Sequence, residues 1–195
     1  MLKRRLEALI FDMDGTLIEP LLDFAAIRAE LGIPAGCGII EAIQAMPAER
    51  ARRAEGVLLE RELSAACSAE LMPYAAEAVA AARRAGLKTA LLTRNAREAM
   101  EIVLSRFGSL RFDLTWSREE GPIKPEPDGI LRACLALGVS PSATACVGDF
   151  HYDIIAANAA GAVSILLSGG ERPSFADEAD YVITDLKELV SLLGA

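Results

Sequence analysis

The 195-residue chain has one histidine and four cysteines, Cys37, Cys67, Cys134 and Cys146, none of them in a Cys-x-x-Cys pair. Those absences exclude the usual zinc sites, and the thiols read as free and buried in a reducing compartment. Positive charge is also scarce, with 20 Lys and Arg against 28 Asp and Glu and a net charge of −8. General affinity for nucleic acid or for an anionic membrane is thereby excluded, and an anionic ligand has to be met by local positive charge. No apolar run is long enough to span a bilayer. The apolar stretch behind Lys3-Arg4-Arg5 is too short for a secretion signal and runs straight into an acidic motif. The expected location is the cytoplasm, as a monomer or small homo-oligomer. Internal repeats and low-complexity linkers are missing as well, while 52% of the residues are hydrophobic, enough for one full core plus a modest insertion.

What is present is Leu9-Ile10-Phe11-Asp12-Met13-Asp14-Gly15-Thr16. It sets two carboxylates two residues apart where a short apolar strand, Leu6–Phe11, ends. Such a run calls for burial in a parallel sheet, and the glycine permits a sharp exit that brings backbone and carboxylates toward a ligand. A turn-closing role for Asp12 and Asp14 is the plain alternative.

From about Pro20 to Met72 the sequence reads as helical throughout. Leu22, Ala25, Ala26, Ala29 and Leu31 follow a helical stripe ended by Gly32. A second helix covers Ile39–Met46, and Pro47 opens a long third one carrying Leu58, Leu59, Leu63 and Cys67. From Pro73 onward helix and strand alternate, the mark of a parallel sheet covered on both faces. The expected helices are Tyr74–Ala85, Ala96–Phe107, Asp128–Leu137, Tyr152–Ala160 and Leu186–Leu193. The expected strands are Leu87–Leu92, Phe112–Trp116, Thr144–Val147, Val163–Leu166 and Tyr181–Ile183. Gly86, Gly138 and Gly161 stand where helices end. The fold class is therefore α/β, a doubly wound parallel-sheet core built from residues 1–19 and 73–195 with a small all-helical cap, 20–72, inserted after the first strand.

In open parallel sheets ligands bind beyond the carboxyl ends of the strands. Asp12, Thr93 and Asp149 each follow a strand, Lys124 lies in the loop Gly121–Pro127, and Asp153 comes four residues after Asp149. Carboxylates gathered around one lysine and one hydroxyl are intelligible if a divalent cation offsets the acid charge, and oxygen-only ligands favour Mg2+ beside a phosphate. In the chemistry that follows, one carboxylate attacks phosphorus in line while metal and lysine stabilise the non-bridging oxygens. A second carboxyl group protonates the leaving alcohol, and water later attacks the aspartyl phosphate.

These motifs resemble the haloacid dehalogenase superfamily, in particular its phosphoglycolate phosphatase-like branch with a helical cap. Asp12-x-Asp14-Gly15-Thr16 is similar to the first family motif, Leu91-Leu92-Thr93-Arg94-Asn95 to the second and Lys124-Pro125 to the third. Gly148-Asp149-Phe150-His151-Tyr152-Asp153 is similar to the fourth. The resemblance implies Asp12 as nucleophile and metal ligand, and Asp14 as acid/base that lends its backbone carbonyl to the metal. It implies Thr93, Arg94, Asn95 and Lys124 as the phosphate and substrate side, Asp149 as a magnesium ligand, and Thr16 and Asp153 in support. An acid at position 14 favours phosphate esters over dehalogenation, which leaves no alkoxide to protonate.

By that resemblance the substrate is a small phosphomonoester of the phosphoglycolate or sugar-phosphate type. A phosphosugar mutase of the same branch differs only in what receives the phosphoryl group, and a phosphoacceptor or binding protein without turnover is the reading from another class. His151 reads as a spectator, and Arg94 as touching either substrate or solvent. Arg50, Arg52 and Arg53 read as a solvated face paired with Glu49 and Glu55. The turn Pro34–Gly38 is expected to reach the site from the cap.

Overall fold

The computed structural model describes residues 6–194. Six strands, β1 (Ala8–Phe11), β2 (Lys88–Leu92), β3 (Leu114–Trp116), β4 (Thr144–Gly148), β5 (Val163–Leu167) and β6 (Tyr181–Ile183), form one sheet in the order β3-β2-β1-β4-β5-β6. Every pairing in it is parallel. Because the chain builds outward in both directions from β1, the order reverses beside that strand, and a crevice opens there at the carboxyl ends.

The central strands are buried on both faces, and the alternation along β1 shows how. Leu9 and Phe11 pack with α4 (Ala75–Arg84), α5 (Arg97–Arg106) and α8 (Leu186–Leu193) through Ala75, Val79, Met100 and Leu189. Ile10 points the other way, to α6 (Asp128–Leu137) and α7 (His151–Ala160) through Ile130, Ala133 and Ala157. Alanines on the helices allow close approach to the sheet, which is why these tracts are ordered and core-facing. The three glycines read as helix stops do end helices, at positive φ.

Between β1 and α4 the chain makes three helices, α1 (Phe24–Leu31), α2 (Ile39–Gln44) and α3 (Ala48–Ser68). They enclose a small cluster of their own: Ile27, Ile33, Ile39, Ile43, Ala54 and Leu58. The segments leaving and re-entering the sheet are stitched together, since Glu19 N–H donates to Glu70 O at 2.9 Å and Met72 N–H to Leu17 O at 2.9 Å.

Several expectations are corrected. The first strand starts at Ala8 rather than Leu6, and the third is shortened to Leu114–Trp116. In α1 the stripe of Ala25, Ala26 and Ala29 is exposed and Ile27 is the buried residue, because a helix of this length touches its neighbours along a single line. In α3 the buried line is Ala54, Leu58, Glu62 and Ala66, spaced by four, and Cys67 faces outward. Cys134 and Cys146 are buried, whereas Cys37 and Cys67 are exposed; all four are free. No helix among the described residues is long and apolar enough to cross a membrane.

Candidate active site

The ladder between β1 and β4 runs one step past the strand: Asp12 N–H donates to Val147 O at 2.9 Å and so fixes where the first carboxylate stands. The chain then turns tightly, with Leu17 N–H donating to Met13 O at 2.8 Å. Gly15 sits at φ +74°, and a Cβ there would lie 2.1 Å from Asp149 Oδ2. Both the left-handed backbone and this close approach demand glycine. Gly148 on the neighbouring strand is needed for close approach alone, since a Cβ there would come within 2.2 Å of Asp153 Cγ.

Lys124 is buried at the centre. Its Nζ donates to Asp12 Oδ1 at 2.5 Å, to Asp153 Oδ1 at 2.6 Å and to Leu92 O at 2.9 Å, which uses all three ammonium hydrogens. Burial opposes its charge, but Asp12 and Asp153 overcome that and hold the ammonium above its ordinary pKa. Asp12, Asp149 and Asp153 bring carboxylate oxygens within 4.8 Å of one another. Burial raises the Asp12 and Asp149 carboxyls above the usual range; Asp153 adds to this at both, and Asp12 does so at Asp149. One lysine is therefore too little positive charge for the cluster. An all-oxygen donor set in this condition fits a hard divalent cation.

Asp14 stands apart from that trio. Asn95 Nδ2 donates to its Oδ2 at 2.9 Å, and burial, with help from Asp12 and Glu62, pushes its carboxyl up to about 7. Thr93 is buried after β2; its N–H donates to Trp116 O at 2.9 Å and its Oγ1 accepts from Asn95 N–H at 3.1 Å. The residue preceding α5 is Ala96 rather than Thr93, so the threonine does not cap that helix. Thr16 is buried beside the turn, and its hydroxyl has no hydrogen-bond partner among the described residues.

Arg94 and Asn95 are both committed to protein groups. Arg94 donates from Nη1 to the Lys124 carbonyl, contacts both Glu41 carboxylate oxygens from Nη2 at 2.8 and 3.0 Å, and lies 4.6 Å over the Tyr152 ring. It thus ties α2 to the core, which neither sequence reading of Arg94 anticipated. His151 is turned away, bonded to Glu178 at 2.8 Å and stacked on Phe175. Arg53 pairs with Glu49 on the surface, and Arg50 donates to Leu31 O at the end of α1. Of the turn Pro34–Gly38 only Gly38 borders a cavity of about 460 Å³ between α2 and the 121–126 loop; Ile40, Glu41, Gln44, Arg118 and Tyr152 also line it.

Sequence reasoning missed four of these residues. Glu62 is 2% exposed, accepts from Ala96 N–H at 3.1 Å and pairs with Arg118. Burial outweighs that pairing and raises its carboxyl. Its signal was the four-residue spacing from Ala54 and Leu58, which places an acid on an otherwise apolar line. Arg118, Glu41 and Tyr152 carried no comparable local sign.

The haloacid dehalogenase-like hydrolase family profile matches residues 6–161. The chain is 29% identical to a phosphoglycolate phosphatase of Chromobacterium violaceum, the alignment covering 97% of each. It is 32% identical to hexitol phosphatase B of Escherichia coli, covering 94% of this chain and 92% of the relative. Among solved structures, a hydrolase from Pseudomonas syringae has a TM-score of 0.81 at 22% identity, covering 96% of this chain and 98% of the other, a likeness of fold. With the profile spanning most of the chain and the relatives aligning along nearly all of it, the chain belongs to the haloacid dehalogenase-like hydrolases.

Proposed function

We propose that this hydrolase is a magnesium-dependent phosphatase of small phosphomonoesters acting through an aspartyl phosphate on Asp12, with 20–72 as a cap over a core of 1–19 and 73–195. The observation that carries the reading is the division of labour among the acids. Asp12 is held by Lys124 at 2.5 Å inside a carboxylate trio, while Asp14 is held outside it by Asn95 at 2.9 Å. That division supports a reading in which one carboxylate attacks and the other transfers a proton. Relatives named as phosphatases of phosphoglycolate and of hexitol phosphates agree with phosphoester chemistry.

In this reading Thr93 and Lys124 hold the phosphoryl oxygens, and Thr16 supports the turn. An Asp12 oxygen attacks phosphorus, the ester P–O bond breaks, and Asp14 gives its proton to the departing alkoxide. Asp14, now a carboxylate, takes a proton from the water that attacks the acyl phosphate. Inorganic phosphate and free Asp12 result. Asp12, Asp149 and the backbone of Asp14 would hold magnesium, which would supply the positive charge that an anionic nucleophile and an anionic ester need between them. Asp153 holds Lys124 in place. Two exposed free thiols, Cys37 and Cys67, suit a reducing cytoplasm.

The test is phosphate release from p-nitrophenyl phosphate with magnesium, with chelator and with Asp12→Asn. Magnesium-dependent turnover that the substitution abolishes is expected. Turnover surviving Asp12→Asn, or insensitive to chelator, overturns the mechanism.

A further inference from the structure

The cavity between α2 and the 121–126 loop adjoins the site through Ile123 and Pro125, which flank Lys124, and through Glu41, the partner of Arg94. At about 460 Å³ it has the size of a small-molecule pocket. Its charges are unevenly matched. Arg118 is engaged by Glu62 and by Glu119, and nearby Arg94 is engaged by Glu41. Glu126 lines the cavity with no ion-pair partner among the described residues. Glu41 itself is 44% exposed, so its carboxylate faces the space as well as the arginine. A leaving group that carries a carboxylate or a second phosphate meets two acids here, while Arg118 and Arg94 are already engaged by glutamates. Uncharged hydroxyls meet carboxylates that accept from them, together with Gln44 and Tyr152, which donate and accept.

On the phosphatase reading above, we propose that Glu41 is a specificity-determining residue. By occupying Arg94 and adding its own charge to the cavity, it rejects phosphate esters of acidic alcohols and admits esters of neutral, polyhydroxylated alcohols. The exclusion is electrostatic: like charges brought together in a partly desolvated site are strongly disfavoured, which is a common route to specificity. The geometry is supported locally by Gly38. A Cβ on that residue would stand 2.1 Å from Glu41 Oε2, so the glycine is what lets the carboxylate fold back to Arg94. The backbone of Gly38, at φ −63° and ψ 132°, is open to any residue, so close approach is the reason a glycine stands there.

The test is the ratio of kcat/KM for a hexitol monophosphate to kcat/KM for phosphoglycolate. Both are measured on the same sample of each protein, so that any loss of folded enzyme cancels. The unaltered enzyme is expected to favour the polyol ester by about tenfold or more. Glu41→Gln and Glu41→Ala release Arg94 and remove a charge, and should pull the ratio down about tenfold, chiefly by lowering KM for phosphoglycolate. Glu41→Asp should restore part of the preference. Gly38→Ala, which leaves the carboxylate in the chain but pushes it off its seat, should move the ratio in the same direction as Glu41→Gln. Equal or better use of phosphoglycolate by the unaltered enzyme, or a ratio unmoved in the Glu41 variants, overturns the proposal while leaving the phosphatase reading intact. Failure of every ester, p-nitrophenyl phosphate included, to show Asp12-dependent turnover sinks that reading and this one with it.

Discussion

Helices α2 and α3 each lay a glutamate from the inserted segment onto the core. On α3, Glu62 is 2% exposed; its two oxygens take the Ala96 N–H and the Arg118 guanidinium, and water is shut out. Below it Arg106 donates to the carbonyls of Ala66 and Cys67, so the end of the helix is bonded to α5 as well. On α2, Glu41 is 44% exposed and faces one arginine across the mouth of a cavity. An acid without competing water is costly to strip of its partners, whereas an exposed pair gains little over hydration and exchanges readily. The insertion is thus rooted along α3 and lightly fastened at α2. On the proposed function, adaptable contact with a substrate belongs at the second place, and support for the loop that holds Asn95 at the first.

The largest expected effect is on stability. Glu62→Ala leaves Arg118 and the Ala96 N–H without their acceptor and should lower unfolding free energy by about 3 kcal/mol, read as a lower urea midpoint at unchanged slope. A loss no greater than that of Glu41→Ala would erase the distinction between root and tip.

The next is kinetic and separates the two glutamates by kind. Ala96 adjoins Asn95, the residue that holds Asp14, so disturbing the root disturbs the acid proposed as proton donor. Asn95→Ala and Glu62→Gln should reduce kcat about tenfold or more for alkyl phosphates, whose leaving groups need the proton, and much less for p-nitrophenyl phosphate, whose leaving group does not. The Glu41 variants should show no such dependence on leaving-group basicity. Equal losses on both ester types would mean that Glu62 acts only through stability. Hydrogen exchange gives a milder contrast: amides of α2 should exchange well before those of the Glu62–Ala66 turn of α3. The reverse order would place the opening motion at the wrong helix.

The sheet was readable in the chain because its elements announce themselves. Apolar runs of strand length end in Asp12, Thr93 and Asp149, glycines stop the intervening helices, and the crevice rule places ligands at those ends. The acid trio and its lysine followed from the same rule. The inserted helices were less readable. In α1, alanines occupy several faces, so periodicity alone could not choose between Ala25, Ala26 or Ala29 and the line through Ile27. Glu62 went unread because its partner Arg118 lies in another element, 56 residues away. Arg94 was uncertain for the same reason, since Glu41 is 53 residues from it. What stays hidden is pairing over long separation, where neither residue has a local reason to face inward. The exposure of Cys37 and Cys67 is a similar case: one lies in the turn before α2 and the other in the last turn of α3, and neither place carries a pattern that says which way a small side chain points.

The smallest effects bear on how lightly α2 is fastened. Arg53 and Glu49 form an exposed pair one helical turn apart, and Arg53→Ala should change stability by less than about 0.5 kcal/mol. Glu41→Ala should cost somewhat more, up to about 1 kcal/mol, because Arg94 is only 20% exposed and its guanidinium depends on an acceptor. That arginine has two other contacts, the Lys124 carbonyl and the Tyr152 face, and neither comes from the inserted helices. Were Glu41→Ala to cost no more than Arg53→Ala, those core contacts alone would hold Arg94 in place. The α2 fastening would then carry no energy, and the guanidinium would stand ready for a ligand whether or not Glu41 is there. A measurable excess over the Arg53 control, shrinking as salt is raised, would instead show that the pair closes the tip of the insertion.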